Sequence, residues 1–293
     1  MNRGPLRFGW LDAVILAAVA TGAAWVAVAA AGRVDYEWQW SRIPRYLVRT
    51  APDGSLVLGV LGDGLWTTLR LSLWAGVLAT FFGGVMGLVR ALSRGMPKAA
   101  ARIYVEGVRN MPPLVLIFLF YYFVSDQLLP STAVEDFVLA RSPAFQGIVS
   151  TLFDSPARLS AFLAAVLTLA LYEGAYITEI VRAGVQSIER GQWEAGQALG
   201  LTRWQQLRRV IGPQALARTL PPLAGQFIST IKDSAIVSVI SIRELTFQGQ
   251  ELMAATFLTF EVWITVLVLY FLVCMPLSAA ARKLETAMAP WQG

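Results

Sequence analysis

Histidine is absent from this chain of 293 residues, and the single cysteine is Cys274. Zinc sites of the His/Cys type, disulfides within the chain, and Ser-His-Asp or Cys-His nucleophile sets are therefore excluded. Lysine occurs only at Lys98, Lys232 and Lys283, and none of them follows a glycine, so there is no G-x-x-x-x-G-K-[ST] phosphate loop. We expect this chain to hold no metal and no cofactor and to bind no ATP itself.

Charged residues are also scarce, at 15% of the chain, whereas hydrophobic residues make up 56%. Soluble domains carry about 25% charged residues, so this chain lacks the polar surface to cover itself in water. The composition therefore predicts a polytopic membrane protein. The net charge of +5 fits arginines on cytoplasmic loops, and we expect no nucleic-acid partner.

Six stretches are apolar over the roughly 20 residues that a spanning helix needs. The third is weaker than the others, because Glu106 and Arg109 lie near its start and suggest an interfacial beginning. Arg109 with Pro112 and Pro113 also predicts the interface and a helix break. The predicted spans are approximately Trp10–Ala31, Leu65–Val89, Ala100–Val124, Ser160–Val181, Leu223–Ser241 and Val262–Ala281.

The basic residues of the loops predict the orientation. With a cytoplasmic N-terminus, fourteen lysines and arginines fall inside and seven outside, as the positive-inside rule requires. Both termini are therefore predicted to be cytoplasmic, although the first outer loop is an exception with four arginines. The first segment has a second interpretation, a cleavable signal peptide, because Arg3 and Arg7 precede an alanine-rich run. Its length favours a retained anchor.

The longest inside segment, 183–218, carries the start and stop signals of helices. Good helix formers fill Gln192–Leu199, and Gly200 follows where a left-handed residue would end the helix. Thr202 and Gln205 then match the capping box T-x-x-Q, which starts a second helix.

On this second helix Trp204, Leu207 and Ile211 recur at i, i+3 and i+7 and predict one apolar face, and Pro213 would end or kink the helix. The pattern therefore predicts two short helices joined by a glycine corner at the cytoplasmic surface. Two interpretations remain open from the pattern alone. The first helix could insert into a cleft of a partner protein, or the pair could be a surface hairpin that only connects two spans.

The same segment resembles the E-A-A-x(3)-G-x(9)-I-x-L-P signature of permease subunits of bacterial ABC importers. Four positions match the signature: Glu194, Ala195, Gly200 and Pro213. Three depart from it: Gly196 stands in place of alanine, Val210 in place of isoleucine and Gly212 in place of leucine. The spacing is intact, and the two glycines raise the question of whether this loop is slightly more flexible than is typical.

The likeness extends along most of the chain. Four further segments resemble the polar amino-acid branch of these permeases: Leu65–Arg94, Ile103–Phe123, Ala170–Ile188 and Leu220–Thr246. The resemblance implies an all-α type I importer permease fold, with five core spans and one extra N-terminal span. Residues 1–63 would form an anchor and outer loop, and residues 64–285 the permease domain with the coupling loop 183–218.

The resemblance also implies the partners. They would be two cytoplasmic ABC ATPases, an extracytoplasmic solute-binding protein, and a second permease subunit that is either identical or related. The chain would be a transporter subunit of the bacterial inner membrane and not an enzyme, and it would move a polar amino acid by alternating access. No motif in the sequence identifies which amino acid is transported.

Charges at membrane depth are costly and mark functional sites by default. Glu173 lies in the middle of the fourth predicted span, and Lys232 and Asp233 lie in the fifth. They could pair and hold helices together, or they could line a cavity and meet the carboxylate and ammonium groups of a zwitterionic substrate. Tyr176 shares a helix face with Glu173 and is a weaker candidate for the same pathway.

Two other classes of function fit the sequence less well. A secondary transporter could use Glu173 and Asp233 as proton carriers, but the chain shows no inverted repeat of the kind common in that class. A membrane-embedded hydrolase or transferase would need a nucleophile and base beside these acids, and none accompanies them.

Overall fold

The computed structural model of the chain describes residues 9–33, 36–128 and 131–288. The chain divides into two units, Met1–Trp40 and Ser41–Gly293. The first unit contains α1, Trp10–Arg33, a helix dominated by alanine and valine. The second unit contains the other helices and one β-hairpin.

The helices of the second unit alternate between short segments and long membrane-sized ones. In chain order they are α2 (Pro44–Leu47), α3 (Val60–Leu92), α4 (Met96–Asn110), α5 (Pro113–Leu128), α6 (Ser131–Leu139), α7 (Pro143–Leu152), α8 (Leu159–Gln186), α9 (Arg190–Ala198), α10 (Arg203–Gln206), α11 (Gly212–Asp233), α12 (Leu245–Thr256) and α13 (Thr259–Met288). Short 3₁₀ segments cover Trp40–Arg42, Pro156–Arg158 and Ser234–Ile240, and Leu207–Ile211 forms a π turn.

Among the residues that the structure describes, four helical stretches are long and apolar enough to cross a membrane: Val60–Leu92, Pro156–Gln186, Arg203–Ile240 and Thr259–Met288. They cover the second, fourth, fifth and sixth predicted spans, except that Ser241 of the fifth lies just past the end of its stretch. Two shorter apolar stretches, at 10–22 and 113–123, fall in the first and third predicted spans. The count of six spans with an extra N-terminal one therefore stays a prediction.

The third predicted span is divided into two helices, at the break that Pro112 and Pro113 predict. Its first part belongs to the amphipathic helix α4, and its second part to α5. Met111 between them is extended, with φ −104° and ψ 152°, because a residue before proline avoids the helical region. Pro112 and Pro113 lack the N–H groups that would continue the ladder of α4.

The all-α prediction also missed an antiparallel hairpin ahead of α3. Strand β1 (Val48–Thr50) pairs with β2 (Leu56–Leu58). The turn between them is closed by Asp53, whose carboxylate accepts hydrogen bonds from the Ser55 amide at 3.0 Å and the Ser55 hydroxyl at 2.6 Å. Gly54 follows with φ +83°. The Pro-Asp-Gly sequence is a turn signal, but two strands of three residues are too short for a period-2 pattern to stand out.

Helices α3 and α8 have the most extensive contact of the helix pairs described in this unit, and glycines permit the contact. A Cβ on Gly83 would lie 2.6 Å from the Gly174 carbonyl oxygen, and one on Gly87 would lie 2.8 Å from the Thr178 oxygen. This is the small-residue packing typical of membrane helices. Gly84 does not take part, because a Cβ there would meet nothing within 4 Å.

A buried carboxylate joins three helices at the start of α12. Glu244 is fully buried and caps α12 by accepting hydrogen bonds from the amides of Thr246 (2.8 Å) and Phe247 (2.7 Å). The Tyr270 hydroxyl of α13 donates to it at 3.0 Å, and Thr68 of α3 approaches it at 3.4 Å. Burial raises the pKa of Glu244 to about 7, although these donors oppose the shift.

Candidate coupling loop and intramembrane polar cluster

The glycine corner of the loop 183–218 closes by backbone hydrogen bonds. The Gly200 amide donates to the Gln197 carbonyl at 2.9 Å, and the Leu201 amide donates to the Gly196 carbonyl at 3.1 Å. This pair of bonds is the Schellman pattern, which ends a helix with a left-handed residue. Gly200 has φ +71°, so the corner uses a conformation that side-chain-bearing residues rarely adopt.

The second helix starts as the sequence predicts. The Thr202 hydroxyl accepts from the Gln205 amide at 3.3 Å, and the Gln205 side chain accepts from the Thr202 amide at 2.9 Å. After α10 the backbone widens into the π turn, and the Gly212 amide donates to the Leu207 carbonyl. Pro213 therefore does not end the helix. The widened turn accommodates its missing N–H, and the chain continues into α11.

Gln206 fills the inside of the corner. Its side chain is buried and donates to the Leu201 carbonyl at 3.1 Å. Gly196 is buried against it, and a Cβ on Gly196 would lie 3.1 Å from Gln206 Cγ. At Gly212 a Cβ would collide with the Leu207 carbonyl oxygen. The two glycine departures from the signature are thus places of close contact and do not leave empty space.

The predicted apolar face of the second helix is partly wrong. Ile211 is buried and Leu207 packs beside it, but Trp204 is 70% exposed. Only one turn of regular helix precedes the π turn, and the change in winding moves Trp204 off the packed face. Its place is taken by Gln206, which the apolar pattern could not identify.

The outer surface of α9 is open. Ala195, Ala198 and Leu199 are exposed, and the Leu199 side chain reaches 78% exposure. Glu194 forms an exposed ion pair with Arg190, with 2.9 Å between Oε1 and Nε. An exposed pair of this kind contributes at most about 1 kcal/mol to stability. A short helix with small side chains is therefore free for contact with another protein.

The loop is tied to the two spans on either side of it. The Gln214 side chain of α11 donates to the Gln192 side chain of α9 at 3.2 Å. Arg218 of α11 donates to the Ser187 carbonyl at the end of α8. Gly184 lets α8 and α11 touch, since a Cβ there would collide with Thr219 Cγ2. The hydrogen bond of Gln214 thus joins α9 to α11, and the contacts of Arg218 and Gly184 join α11 to α8.

Farther along these two spans lies the polar cluster. Glu173 of α8 is fully buried, and its Oε2 accepts a hydrogen bond from Gln226 of α11 at 2.6 Å. Its Oε1 is buried without a hydrogen-bond partner in the part of the chain that the structure describes. The half-buried Asp233 carboxyl lies close enough to interact with it. Sequence reasoning missed Gln226, although it precedes Asp233 by two helical turns and so shares its face.

Aromatic residues border the cluster. The hydroxyls of Tyr172 and Tyr176 lie 3.2 Å apart, and the guanidinium of Arg109 lies 5.5 Å from the centre of the Tyr176 ring. This distance allows a cation–π interaction. Arg109 is exposed at the end of α4, where the helix break leaves it beside α8.

Lys232 does not form the ion pair that one sequence interpretation expected. Within residues 9–33, 36–128 and 131–288, no carboxylate lies within 4 Å of its ammonium group, and the side chain is exposed. Its neighbour Asp233 turns toward α8, because adjacent helical residues point about 100° apart. Pro222 and Gly225 are exposed in the same helix, and their spacing to Lys232 puts all three on one face of α11.

Comparisons with known proteins give a consistent result. The family model described as "binding-protein-dependent transport system inner membrane component" matches residues 79–290. The glutamine transport system permease protein of Escherichia coli K12 is 37% identical over 223 residues, which cover 75% of this chain and 90% of that protein. The L-cystine transport system permease protein TcyB of Bacillus subtilis 168 is 32% identical over 231 residues, or 77% and 85% of the two chains.

Solved structures show the same fold. The crystal structure of an amino acid ABC transporter with histidines matches with a TM-score of 0.61 and 32% identity, over 78% of this chain and 94% of that one. An inward-facing structure of the MetNI methionine ABC transporter matches with a TM-score of 0.58 over 78% and 96% of the two chains. Its identity is 21%, so this second match supports the fold alone.

Proposed function

This chain belongs to the family of binding-protein-dependent transport system inner membrane components, and from that premise we propose that it carries a polar amino acid. It is a membrane-spanning permease subunit of an ATP-driven ABC importer and not an enzyme, and it spans the inner membrane several times. Membership of the family implies an ATPase, a binding protein and a second permease as partners. The cargo is inferred from relatives whose names specify glutamine and cystine.

The main support for a coupling role is that α9 has a solvent-exposed side while the corner that follows it is held by hydrogen bonds. Ala195 and Leu199 are exposed, whereas Gly196 is buried against the following helix. The surface of α9 would enter a cleft of the partner ATPase, with Glu194 at its edge. Gly200 and Pro213 would act from behind this surface, by fixing the corner and the start of α11.

The links from α9 to α8 and α11 support a route by which ATP binding opens the pathway. Closing of the two ATPases would move α9. Helix α11 would follow because Gln214 is hydrogen bonded to α9, and α8 would follow because Arg218 of α11 is hydrogen bonded to its end. The spans would then change from inward-facing to outward-facing, and the binding protein would release its solute into the cavity. Hydrolysis would restore the inward-facing state.

The polar cluster supports a zwitterionic cargo. Lys232 and Arg109 offer positive charge for an α-carboxylate. Asp233 and the Oε1 atom of Glu173, which has no hydrogen-bond donor among the described residues, offer acceptors for an α-ammonium group. Tyr176 would border the same path. The exposed face of α11 that carries Lys232 would line it, either beside an identical second permease or beside a related one.

Residues 1–63 would then be the anchor and outer loop, residues 64–285 the permease domain, and both termini would be cytoplasmic. Cysteine labelling tests this orientation in a background where Cys274→Ser removes the native thiol. Gln197→Cys should be labelled from the cytoplasmic side and Asp136→Cys from the outside. The reverse pattern would overturn the orientation while leaving the family assignment intact.

Uptake by the reconstituted complex tests the cargo and the energy source. Vesicles containing this permease, its ATPase and its binding protein should take up labelled glutamine or cystine when ATP is enclosed, and an ionophore should not stop them. Uptake that follows an ion gradient without ATP, or a binding protein that holds no amino acid, would refute the proposal.

Lys232→Ala tests the pathway. Because no carboxylate partner is lost, the stability of the assembled complex should change by no more than about 0.5 kcal/mol. Uptake should fall at least about tenfold, since a charge contact with substrate is worth roughly 1.5 kcal/mol or more. Lys283→Ala, which removes another exposed lysine, is the matched control and should leave uptake unchanged. Full uptake with unchanged solute preference in Lys232→Ala would remove Lys232 from the pathway.

A further inference from the structure

A cavity that is not part of the proposed substrate pathway lies beside the coupling loop and has no role in the transport mechanism above. Its volume is about 510 Å³, and it opens between the end of α3 and the first turn of α4 on one side and helices α9 and α10 on the other. Arg94 and Lys98 line the first side, and Arg190 and Arg203 line the second. Cavities of this size commonly hold small ligands.

The charges around this cavity are unbalanced. Four cationic side chains line it against one carboxylate, Glu194, which is already paired with Arg190. In the described part of the chain, no carboxylate lies within 4 Å of Arg94, Lys98 or Arg203. Like charges gathered around one cavity repel one another, and an oxyanion in the cavity would relieve that repulsion.

The surroundings indicate where the anion comes from. Lys98 stands in α4 between two exposed apolar side chains, Met96 at 83% exposure and Ile103 at 72%. Apolar groups that flank a cation at the end of a membrane helix are typical of the headgroup region, where basic side chains meet lipid phosphates. The cavity is therefore at the level of lipid headgroups on the side of the membrane that the loop charges assign to the cytoplasm.

We propose that this cavity binds a phosphate oxyanion, held by Arg94, Lys98 and Arg203. The phosphate can belong to the headgroup of an anionic lipid of the inner leaflet or be a free cytoplasmic anion, and both offer the same oxygens to the same cations. Ala195 and Leu199, which form the open surface of α9, do not line the cavity. The phosphate site and the ATPase surface are therefore on different sides of the same short helix, and the site does not depend on the identity of the transported solute.

The test uses the purified full-length chain in a neutral detergent and measures its thermal unfolding midpoint. Three probes are titrated at constant ionic strength: a short-chain phosphatidylglycerol, a short-chain phosphatidylcholine and inorganic phosphate. Phosphatidylglycerol should raise the midpoint saturably and phosphatidylcholine should do so much less. Arg94→Gln together with Lys98→Gln should weaken this binding about 25-fold, or about fivefold for each cation removed.

Two further variants separate charge from folding. Arg94→Lys with Lys98→Arg keeps both charges and should retain binding, whereas Lys283→Gln removes a distant exposed lysine and should change nothing. A midpoint without ligand close to that of the unmodified chain shows that a variant is folded. Stabilisation by phosphatidylglycerol alone assigns the site to lipid, and saturable stabilisation by inorganic phosphate assigns it to a free anion.

Three results would overturn the proposal. The first is the absence of saturable stabilisation by any of the probes, and the second is equal weakening in Lys283→Gln. The third is unchanged lipid binding in the double glutamine variant accompanied by lost co-purification of the ATPase. That last result would assign Arg94 and Lys98 to the protein partner.

Discussion

Two fully buried glutamates in this chain have opposite surroundings. Glu244 accepts hydrogen bonds from two backbone amides at the start of α12 and from the Tyr270 hydroxyl. Glu173 accepts one, from Gln226, and its other oxygen has no hydrogen-bond donor in the described residues. Burying a polar atom without a partner costs about 1–3 kcal/mol, and more for a charged group.

The difference separates a fully hydrogen-bonded carboxylate from one that we propose binds substrate. The partners of Glu244 come from three helices and leave neither of its oxygens without a donor. Glu173 has one buried oxygen without a hydrogen-bond donor in the described part of the chain, and Asp233 lies next to it. The two residues belong to α8 and α11, the spans that the coupling loop joins. A protein that retains such an uncompensated group gains something other than stability from it, and binding of a cationic ammonium group is the gain that we propose.

Glu244→Ala should have the largest effect on assembly. It removes the cap of α12 and the charged acceptor of the Tyr270 hydroxyl, which keeps only the Thr246 hydroxyl at 3.1 Å, so the free energy of unfolding should fall by about 3 kcal/mol. The measurement is the yield and thermal midpoint of the complex in detergent. A midpoint equal to that of the unmodified complex would show that the hydrogen bonds around Glu244 do not stabilise the fold.

The pH dependence of the same site has a defined sign. The pKa of Glu244 is raised from 4.5 to about 7 in the folded chain. The folded state therefore binds the proton more strongly than the unfolded state does. The contribution of Glu244 to the free energy of unfolding is full below about pH 4.5 and is lost as the pH rises through 7. The loss should be on the order of 3 kcal/mol. Glu244→Gln should remove this part of the pH dependence, and an unchanged profile in that variant would assign it to another group.

Glu173→Gln should leave assembly nearly unchanged and reduce uptake, which is the reverse of the effect expected for Glu244→Ala. The substituted amide keeps an oxygen for the Gln226 donor, so stability should change by no more than about 1 kcal/mol. Uptake should fall at least about tenfold, because the amide cannot offer a charged acceptor to an ammonium group. Glu244→Gln, normalised to the amount of assembled complex, is the control and should retain uptake. Normal uptake in Glu173→Gln together with poor assembly would make Glu173 a structural residue like Glu244.

The sequence could predict contacts between residues that lie close together along the chain, but not contacts between residues far apart in it. The corner at Gly200 and the capping box of Thr202 and Gln205 were predictable because their partners lie within a few residues of one another. The hydrogen bond from Gln226 to Glu173 joins positions 53 apart, and the contact of Thr68 with Glu244 joins positions 176 apart. No periodicity in the chain contains such pairings, since they depend on how the helices pack.

Errors in predicting the spans have a different cause. Hydropathy measures apolar content over a window, so Ala100–Val124 was counted as one span, and only Pro112 and Pro113 predicted the break that divides it into two helices. The fold class was confirmed because a long apolar helix is determined by composition, whereas the two strands of three residues are not.

Gly200→Ala should have a moderate effect, confined to coupling. A side chain in the left-handed conformation costs roughly 1–2 kcal/mol, so the corner between α9 and α10 should loosen. Solute-stimulated ATP hydrolysis should fall several-fold, while membrane insertion and binding of solute to the binding protein stay normal. Gly191→Ala is the matched control, because Gly191 has helical φ and a Cβ there meets nothing within 4 Å. Equal effects of the two variants would contradict the corner as the rigid element.

Gly196→Ala should have the smallest effect, and its sign tests how tightly the corner is packed. Alanine favours the helix by about 0.5–1 kcal/mol over glycine, but its Cβ would lie 3.1 Å from Gln206 Cγ, so Gln206 must move by a few tenths of an ångström. We expect the two contributions to cancel to within about 0.5 kcal/mol in the unmodified background. In a Gln206→Ala background the obstacle is gone, and the same substitution should stabilise the loop by its full helix preference. The thermal midpoints of the four proteins in this double-mutant cycle measure the coupling. An identical gain from Gly196→Ala in both backgrounds would mean that Gly196 and Gln206 are not in tight contact, and that the glycine makes this loop looser than the signature's alanine would.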